Sequence, residues 1–344
     1  MRQKSRRINK TSIVGGAAIL ALLVVGFIYL GELFPEKYNQ TEANIITYAA
    51  PVLDIAEYDR RMIKLAGGTS TPLWPVKTVY PKAGAILPFH RVIAYYGNLY
   101  SKGMGVLGEY PPDEVLQRLA GEVKNWELAD PGTPVQPALH YIVITAQESA
   151  GEEGKYRLRM PTTEIDKVLA MAKKANAIVF LDLQVGLSSL SVELPLLEDY
   201  LKMPQVHLGI DPEFSMKTDA RPGTEIGTLD AADINYAAGY LAKLVRENNL
   251  PPKILIIHRF TQAMVTNYKL IKPLPEVQIV INMDGWGSPA KKIDTYQGFV
   301  ASQPVQFTGF KLFYKNDLKQ APHRLMIPAE LLKLKPQPIY IQYQ

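Results

Sequence analysis

The stretch QVHLGIDPEFSM, residues 205–216, ends an apolar run with Asp211 and Glu213 on either side of Pro212. Strand alternation would put His207, Gly209, Asp211 and Glu213 on one face and Leu208 and Ile210 on the other. Two carboxyls aimed into one space resist double ionisation, so one of them is held protonated toward neutral pH. An acid beside an ionised partner is what cleavage of a glycosidic bond requires. Pro212 keeps Asp211 extended and stiffens the turn. The plainer role for Asp211 is to brace the loop that follows.

Other apolar runs also finish in polar residues. Asp182 and Gln184 end one, Asn282 and Asp284 another, and His258, Lys311 and Gln342 stand at the ends of three more. Such groups are costly in a core unless they are hydrogen-bonded or used. Their recurrence at one end of several strands marks a candidate active site. Glu213 is expected as proton donor, Asp211 as the group that orients it, and Asp182 or Asp284 as nucleophile or base. His258, Asn282, Lys311, Gln342, Gln184 and Tyr96 are expected to hold substrate hydroxyls. Trp286 and Tyr314 are expected to offer aromatic faces for sugar rings. Tyr95, Tyr100, Phe214 and Phe313 also flank strand ends.

The elements that must position these groups repeat regularly. Eight short apolar runs occur, RVIAYYG (91–97), LHYIVIT (139–145), AIVFLDLQ (177–184), VHLGID (206–211), ILIIH (254–258), VQIVINMD (277–284), FTGFKLFY (307–314) and PIYIQYQ (338–344). Helical stretches separate several of them, at 112–126, 162–175 and 229–248, the last with Asp230 as N-cap. Strands alternating with helices give right-handed crossovers and a parallel sheet. Eight such units over residues 89–344 predict an α/β fold, a (β/α)8 TIM barrel lacking its eighth helix. An open doubly wound sheet is the alternative, but GNLYSKGMGVLGEY after the first strand lacks G-x-G-x-x-G spacing. The helix at 51–66 is expected to cover the flank left bare between the last and first strands. Prolines at 72, 75, 81 and 88 predict an extended spacer between that helix and the barrel.

The chain has 344 residues and a formal charge of +5. Five of its 38 basic residues, Arg2, Lys4, Arg6, Arg7 and Lys10, lie in residues 1–12, so the rest balances the 33 acids. No nucleic-acid partner is therefore expected. Ile13–Leu30 is an 18-residue run without charge, long enough to span a bilayer. Its length, and the exit through GELFPEKYNQ, predict an uncleaved signal-anchor rather than a removable signal peptide. The N-terminus would then be cytoplasmic and the barrel outside the cell membrane, joined through residues 31–88. The absence of cysteine excludes disulfides, thiol nucleophiles and thiolate metal ligands.

The strand-four stretch resembles the D-x-E signature end of chitinase-like glycoside hydrolases, matched by Asp211 and Glu213. Val206 and Gly209 stand where that signature has two earlier aspartates. Met283-Asp284 echoes the family's M-x-Y-D without its tyrosine. The resemblance implies an acid role for Glu213 and an aspartate assisting an acetamido group. More broadly DPEF, GTLDAAD, HRF, NMDG, KLFY and IYIQYQ together resemble a group of exported bacterial barrel proteins of no established activity. The expected function is a membrane-anchored, extracytoplasmic, glycosidase-like hydrolase acting on cell-wall or extracellular glycan, without cofactor or metal. A non-catalytic glycan-binding or scaffolding barrel is one alternative, with a carboxylate across the cleft from Glu213 (Asp182, Asp284 or Glu148) as the discriminating feature. A metal-dependent hydrolase using Asp182, Asp211, Glu213, His258 and Asp284 is the other. Of the five histidines, His90, His140 and His207 fall near strand starts, where structural roles are expected.

Overall fold

The computed structural model of the protein describes residues 52–344. Eight parallel strands close into a barrel: β1 (Arg91–Gly97), β2 (Val135–Ala146), β3 (Ile178–Leu183), β4 (Val206–Ile210), β5 (Lys253–Arg259), β6 (Val277–Met283), β7 (Phe307–Leu312) and β8 (Tyr340–Tyr343). Each pairs with its sequence neighbour, and β1 closes the ring by pairing with β8 (Val92 opposite Tyr340) as well as β2. All eight expected strands are present. The expected signal-anchor at residues 13–30 and the basic tail lie outside the described residues. Among the described residues, no helix is long and apolar enough to cross a membrane.

Alternation sorts each strand into two cores. Residues such as Ile93, Leu139, Val179, Leu208, Leu255 and Ile281 face outward against the helices. These helices include α2 (Pro112–Ala129), α3 (Thr162–Lys174) and α4 (Ala231–Glu247); α1 (Ile55–Leu65) lies elsewhere. Asp230 caps α4, and Asp233 completes a reciprocal box by accepting from the Asp230 N–H. Inward-facing Val92, Ala94, Ala138, Phe180, Ile254, Ile256, Val280, Phe307 and Tyr340 form a second core in the lower barrel. Nothing in the sequence pattern marked the antiparallel strand Arg157–Arg159 on β2, or the pairing of Leu229–Asp230 with Val265–Thr266. Both are too short for periodicity to register.

Helix α1 packs on the barrel, but at its base rather than over the flank. Its buried residues Tyr58, Met62 and Leu65 join the interior core with Leu87, Val92, Phe307 and Ile339. Val52 and Ile55, apolar residues at the start of this segment, are exposed. Asp130, just beyond α2, accepts from Lys64 of α1 at 2.8 Å and from buried Arg91 of β1 at 2.9 Å. Burial opposes ionisation of Asp130, yet Lys64 and Arg91 prevail and lower its pKa to about 2.

The flank is covered by α2 instead. Trp126 is fully buried, donates Nε1–H to the Tyr343 hydroxyl at 2.9 Å and stacks beneath the Arg91 guanidinium. The proline-rich segment is not a free spacer either. Trp74 donates to the Ala301 carbonyl at 2.7 Å, and the Gln278 side chain accepts from the N–H groups of Ile86 and Leu87. Open barrel ends expose apolar interior, and this segment and α1 together remove that surface from water.

Candidate active site

Above the apolar layer the barrel interior turns polar. The inward positions there are Tyr96 (β1), His140 (β2), Asp182 (β3), Gly209 (β4), His258 (β5), Asn282 (β6), Gly309 and Lys311 (β7), and Gln342 (β8). The ladder brings them side by side: Tyr96 lies opposite His140, Asp182 opposite Gly209, His258 opposite Asn282, and Lys311 opposite Gln342. Glycine is required at 209. A Cβ there would stand 2.2 Å from Asp182 Oδ1 and 2.4 Å from His140 Nε2.

A chain of contacts runs upward through this layer. Gln342 donates to the Tyr340 hydroxyl, which lies 2.6 Å from His140 Nδ1. His140 Nε2 is 3.0 Å from Asp182 Oδ1, and His258 Nε2 approaches the same oxygen at 3.3 Å. Tyr96 donates to Asp182 Oδ2 at 3.1 Å. His258 Nδ1 is 2.9 Å from Asp284 Oδ2, and Lys311 Nζ is 3.0 Å from Asp284 Oδ1 while lying over the Tyr96 ring.

A cavity of about 530 Å³ opens above this network at the C-terminal ends of the strands. Asp211, Glu213 and Asp284 line it with Tyr96, Gln184 and Lys311. Asp211 is not only a lining group. Its Oδ1 accepts from the Glu213 N–H at 3.0 Å and caps a single 3-10 turn, Pro212–Phe214. Glu213 thus reaches the cavity from that turn, since β4 ends at Ile210. Phe214, Phe260, Trp286 and Phe313 add an apolar rim. Buried Asp317 holds part of that rim in place. It accepts from the N–H groups of Gly287 and Phe313 at 2.9 Å and pairs with buried Lys292 at 2.8 Å.

Electrostatics divides the carboxyls. Burial, with Asp284 nearby, raises Glu213 to about 7. Burial also pushes Asp211 well above the usual carboxylate range, with Glu213, Asp182 and Asp284 adding to the rise. Asp284 goes the other way. Although burial opposes its charge, Lys311 and His258 hold it below its ordinary value. Asp182 is lowered for the same reason by its two histidines. Burial disfavours a charged His258, but Asp182 and Asp284 outweigh it and raise the imidazole to about 10. His140, with burial dominant, drops to about 4.

The expected residues therefore fall into three groups. Asp211, Glu213, Asp284, Tyr96, Gln184, Trp286 and Lys311 share the cavity. Asp182, His258, Asn282 and Gln342 lie fully buried beneath it, so Asp182 is sealed by its partners rather than presented to the cavity. Tyr314 lies elsewhere. It stacks on Tyr343 with ring centroids 5.4 Å apart and donates to Glu122 of α2 at 2.8 Å. Alternation itself separates them: with Lys311 inward, Phe313 falls on the cavity side and Tyr314 on the outer face. Glu148 is exposed and does not line the cavity. His140 and Tyr340 were missed, and so were Phe260 and Lys291 at the rim. Among the described residues, the donors that gather within 4.8 Å of one another are those of His140, Asp182 and His258, not the five residues of the metal-dependent alternative.

No protein-family model matches the chain, and no curated protein is similar to it at a significant level. Solved structures with a similar course include Cel5A of Thermotoga maritima in complex with cellobiose. It has a TM-score of 0.38 and 11% identity over 73% of this chain and 88% of that one. A broad-specificity GH5-4 endoglucanase from Clostridium longisporum has a TM-score of 0.34 and 10% identity, over 65% and 75%. Plasmodium falciparum HPPK-DHPS with pteroate has a TM-score of 0.38 and 11% identity, over 84% and 51%. The barrel assignment rests on strand pairing and the candidate site on the cavity, not on these distant likenesses.

Proposed function

We propose that the protein is a membrane-anchored, extracytoplasmic glycoside hydrolase that acts on cell-wall or extracellular glycan through carboxyl acid–base catalysis. One observation carries this reading: a single cavity is lined by Glu213, whose pKa is raised to about 7, and by Asp284, which is kept ionised. Glu213 donates a proton to the leaving glycosidic oxygen. Asp284 acts as base toward water or stabilises positive charge at the anomeric carbon. Asp211 fixes the Glu213 backbone and, being itself held toward the neutral form, adds no competing charge. Lys311, Gln184 and Tyr96 supply hydrogen bonds to hydroxyls, and the exposed ring of Trp286 supports a sugar face at the rim.

Glycan cleavage by the detergent-solubilised full chain, measured against pH, tests the assignment. Activity should fall as pH rises through about 7, because the donor loses its proton. Glu213→Gln should lower kcat by roughly 10²–10⁴-fold and leave KM nearly unchanged, since general acid catalysis contributes on that order. Cleavage that survives Glu213→Gln, or an alkaline limb that the substitution does not remove, would refute it. Glycan binding without turnover in the parent protein would favour the scaffolding alternative.

A further inference from the structure

We propose that His140, Asp182 and His258 form a divalent transition-metal site of the zinc class beneath the cavity floor. Three strands contribute one ligand each, His140 Nε2 from β2, Asp182 Oδ1 from β3 and His258 Nε2 from β5. The three side chains are fully buried. Two donors bound to one ion at about 2.1 Å, with angles between 90° and tetrahedral, stand roughly 3.0–3.4 Å apart. The two nitrogens lie 3.0 and 3.3 Å from Asp182 Oδ1. His258 Nε2 is buried and has no hydrogen-bond partner, although that oxygen is close, so the approach is not aligned for N–H donation.

The outer atoms of all three ligands are held as metal ligands usually are. His140 Nδ1 lies 2.6 Å from the Tyr340 hydroxyl, His258 Nδ1 lies 2.9 Å from Asp284, and Asp182 Oδ2 accepts from Tyr96 at 3.1 Å. The Tyr340 and Tyr96 contacts orient the His140 ring and the Asp182 carboxylate toward each other. Two imidazoles and one carboxylate select zinc, cobalt or a neighbouring metal over calcium or magnesium, which prefer all-oxygen shells. Bound there, the ion neutralises Asp182 and takes the place of a proton on His258 Nε2, with Nδ1 2.9 Å from Asp284 Oδ2. The site predicts a metal content that needs no substrate to observe.

The test is metal retention by the full chain in detergent, stripped with chelator, loaded with zinc sulfate and desalted. Elemental analysis should find about one zinc per chain. His140→Gln and His258→Gln should each abolish retention, whereas His90→Gln, at a histidine outside the cluster, should keep it. Tyr340→Phe should weaken zinc binding ~10–100-fold, as loss of an outer-shell contact does. Should the ligand variants fail to fold, cobalt(II) loading of the parent chain decides. Visible absorption bands of a nitrogen- and oxygen-ligated ion, removed by one equivalent of zinc, support the site. No retained zinc above a buffer control, retention undiminished in folded ligand variants, or no cobalt bands would overturn it. Failure here leaves glycan cleavage in chelator untouched, and loss of cleavage leaves zinc content untouched, so the two readings fail separately.

Discussion

At the residue scale, the candidate chemistry depends on how unlike environments treat like groups. Asp284 and Glu213 face one cavity, yet Lys311 and His258 hold the first ionised while burial holds the second protonated toward pH 7. Gly209 matters as much by what it lacks. Gly209→Ala should destabilise the barrel by about 3 kcal/mol, because its Cβ must displace the His140–Asp182 pair from a packed interior. Urea denaturation checks this, and a change under ~0.5 kcal/mol would show that the pair moves freely. Asp211 and Glu213 were legible in the sequence because both follow an apolar strand and are separated by a proline. His140 was not. The apolar run of strand two begins at Leu139, which by itself puts this histidine at the strand mouth opposite to the site. The strand begins at Val135, so His140 sits in its middle and points inward onto Asp182. That unseen partner is also why Asp182, expected as nucleophile or base, is sealed.

At the element scale, eight strands and three long helices were readable from periodicity, since each buries a full face. Helix α1 was readable as a helix, but its place was not. Its buried side chains are Tyr58, Met62 and Leu65, and only the folded barrel offers them an open base. Its attachment through Asp130 has a defined pH signature. The folded pKa of Asp130 is lowered to about 2, so its contribution is present above the unfolded value near 3.8 and disappears as pH falls toward 2. Asp130→Asn should therefore cost about 2 kcal/mol at pH 7 and almost nothing near pH 2. Chemical denaturation at the two pH values would show this, and an equal loss at both would assign Asp130 to packing alone. The flank that seemed to need α1 is filled by Trp126 and Tyr343. An aromatic pair supplied by α2 and β8 cannot be read from either segment by itself.

At the scale of the whole molecule, the cavity is held by a barrel closed at its base and lined at its top by loops from several strands. The proposed anchor at residues 13–30 would keep that mouth near an extracellular polymer. Deleting residues 1–30 should move the protein from the membrane fraction to the soluble fraction while leaving thermal unfolding unchanged. Continued sedimentation of the folded truncated chain with membranes would point to a second attachment. Fold class was legible because a repeating pattern over some 250 residues leaves few topologies. The depth of the site was not, because which polar strand ends reach solvent depends on packing between strands far apart in sequence.

Proton affinity at Glu213 is the most direct test of the account, and site-resolved NMR titration of ¹³C-labelled glutamate carboxyls in the full chain measures it. One glutamate should titrate near pH 7, and its signal should vanish in Glu213→Gln. If every glutamate titrates below about pH 5, no carboxylic acid is poised to donate a proton at the barrel mouth and the proposed chemistry is contradicted.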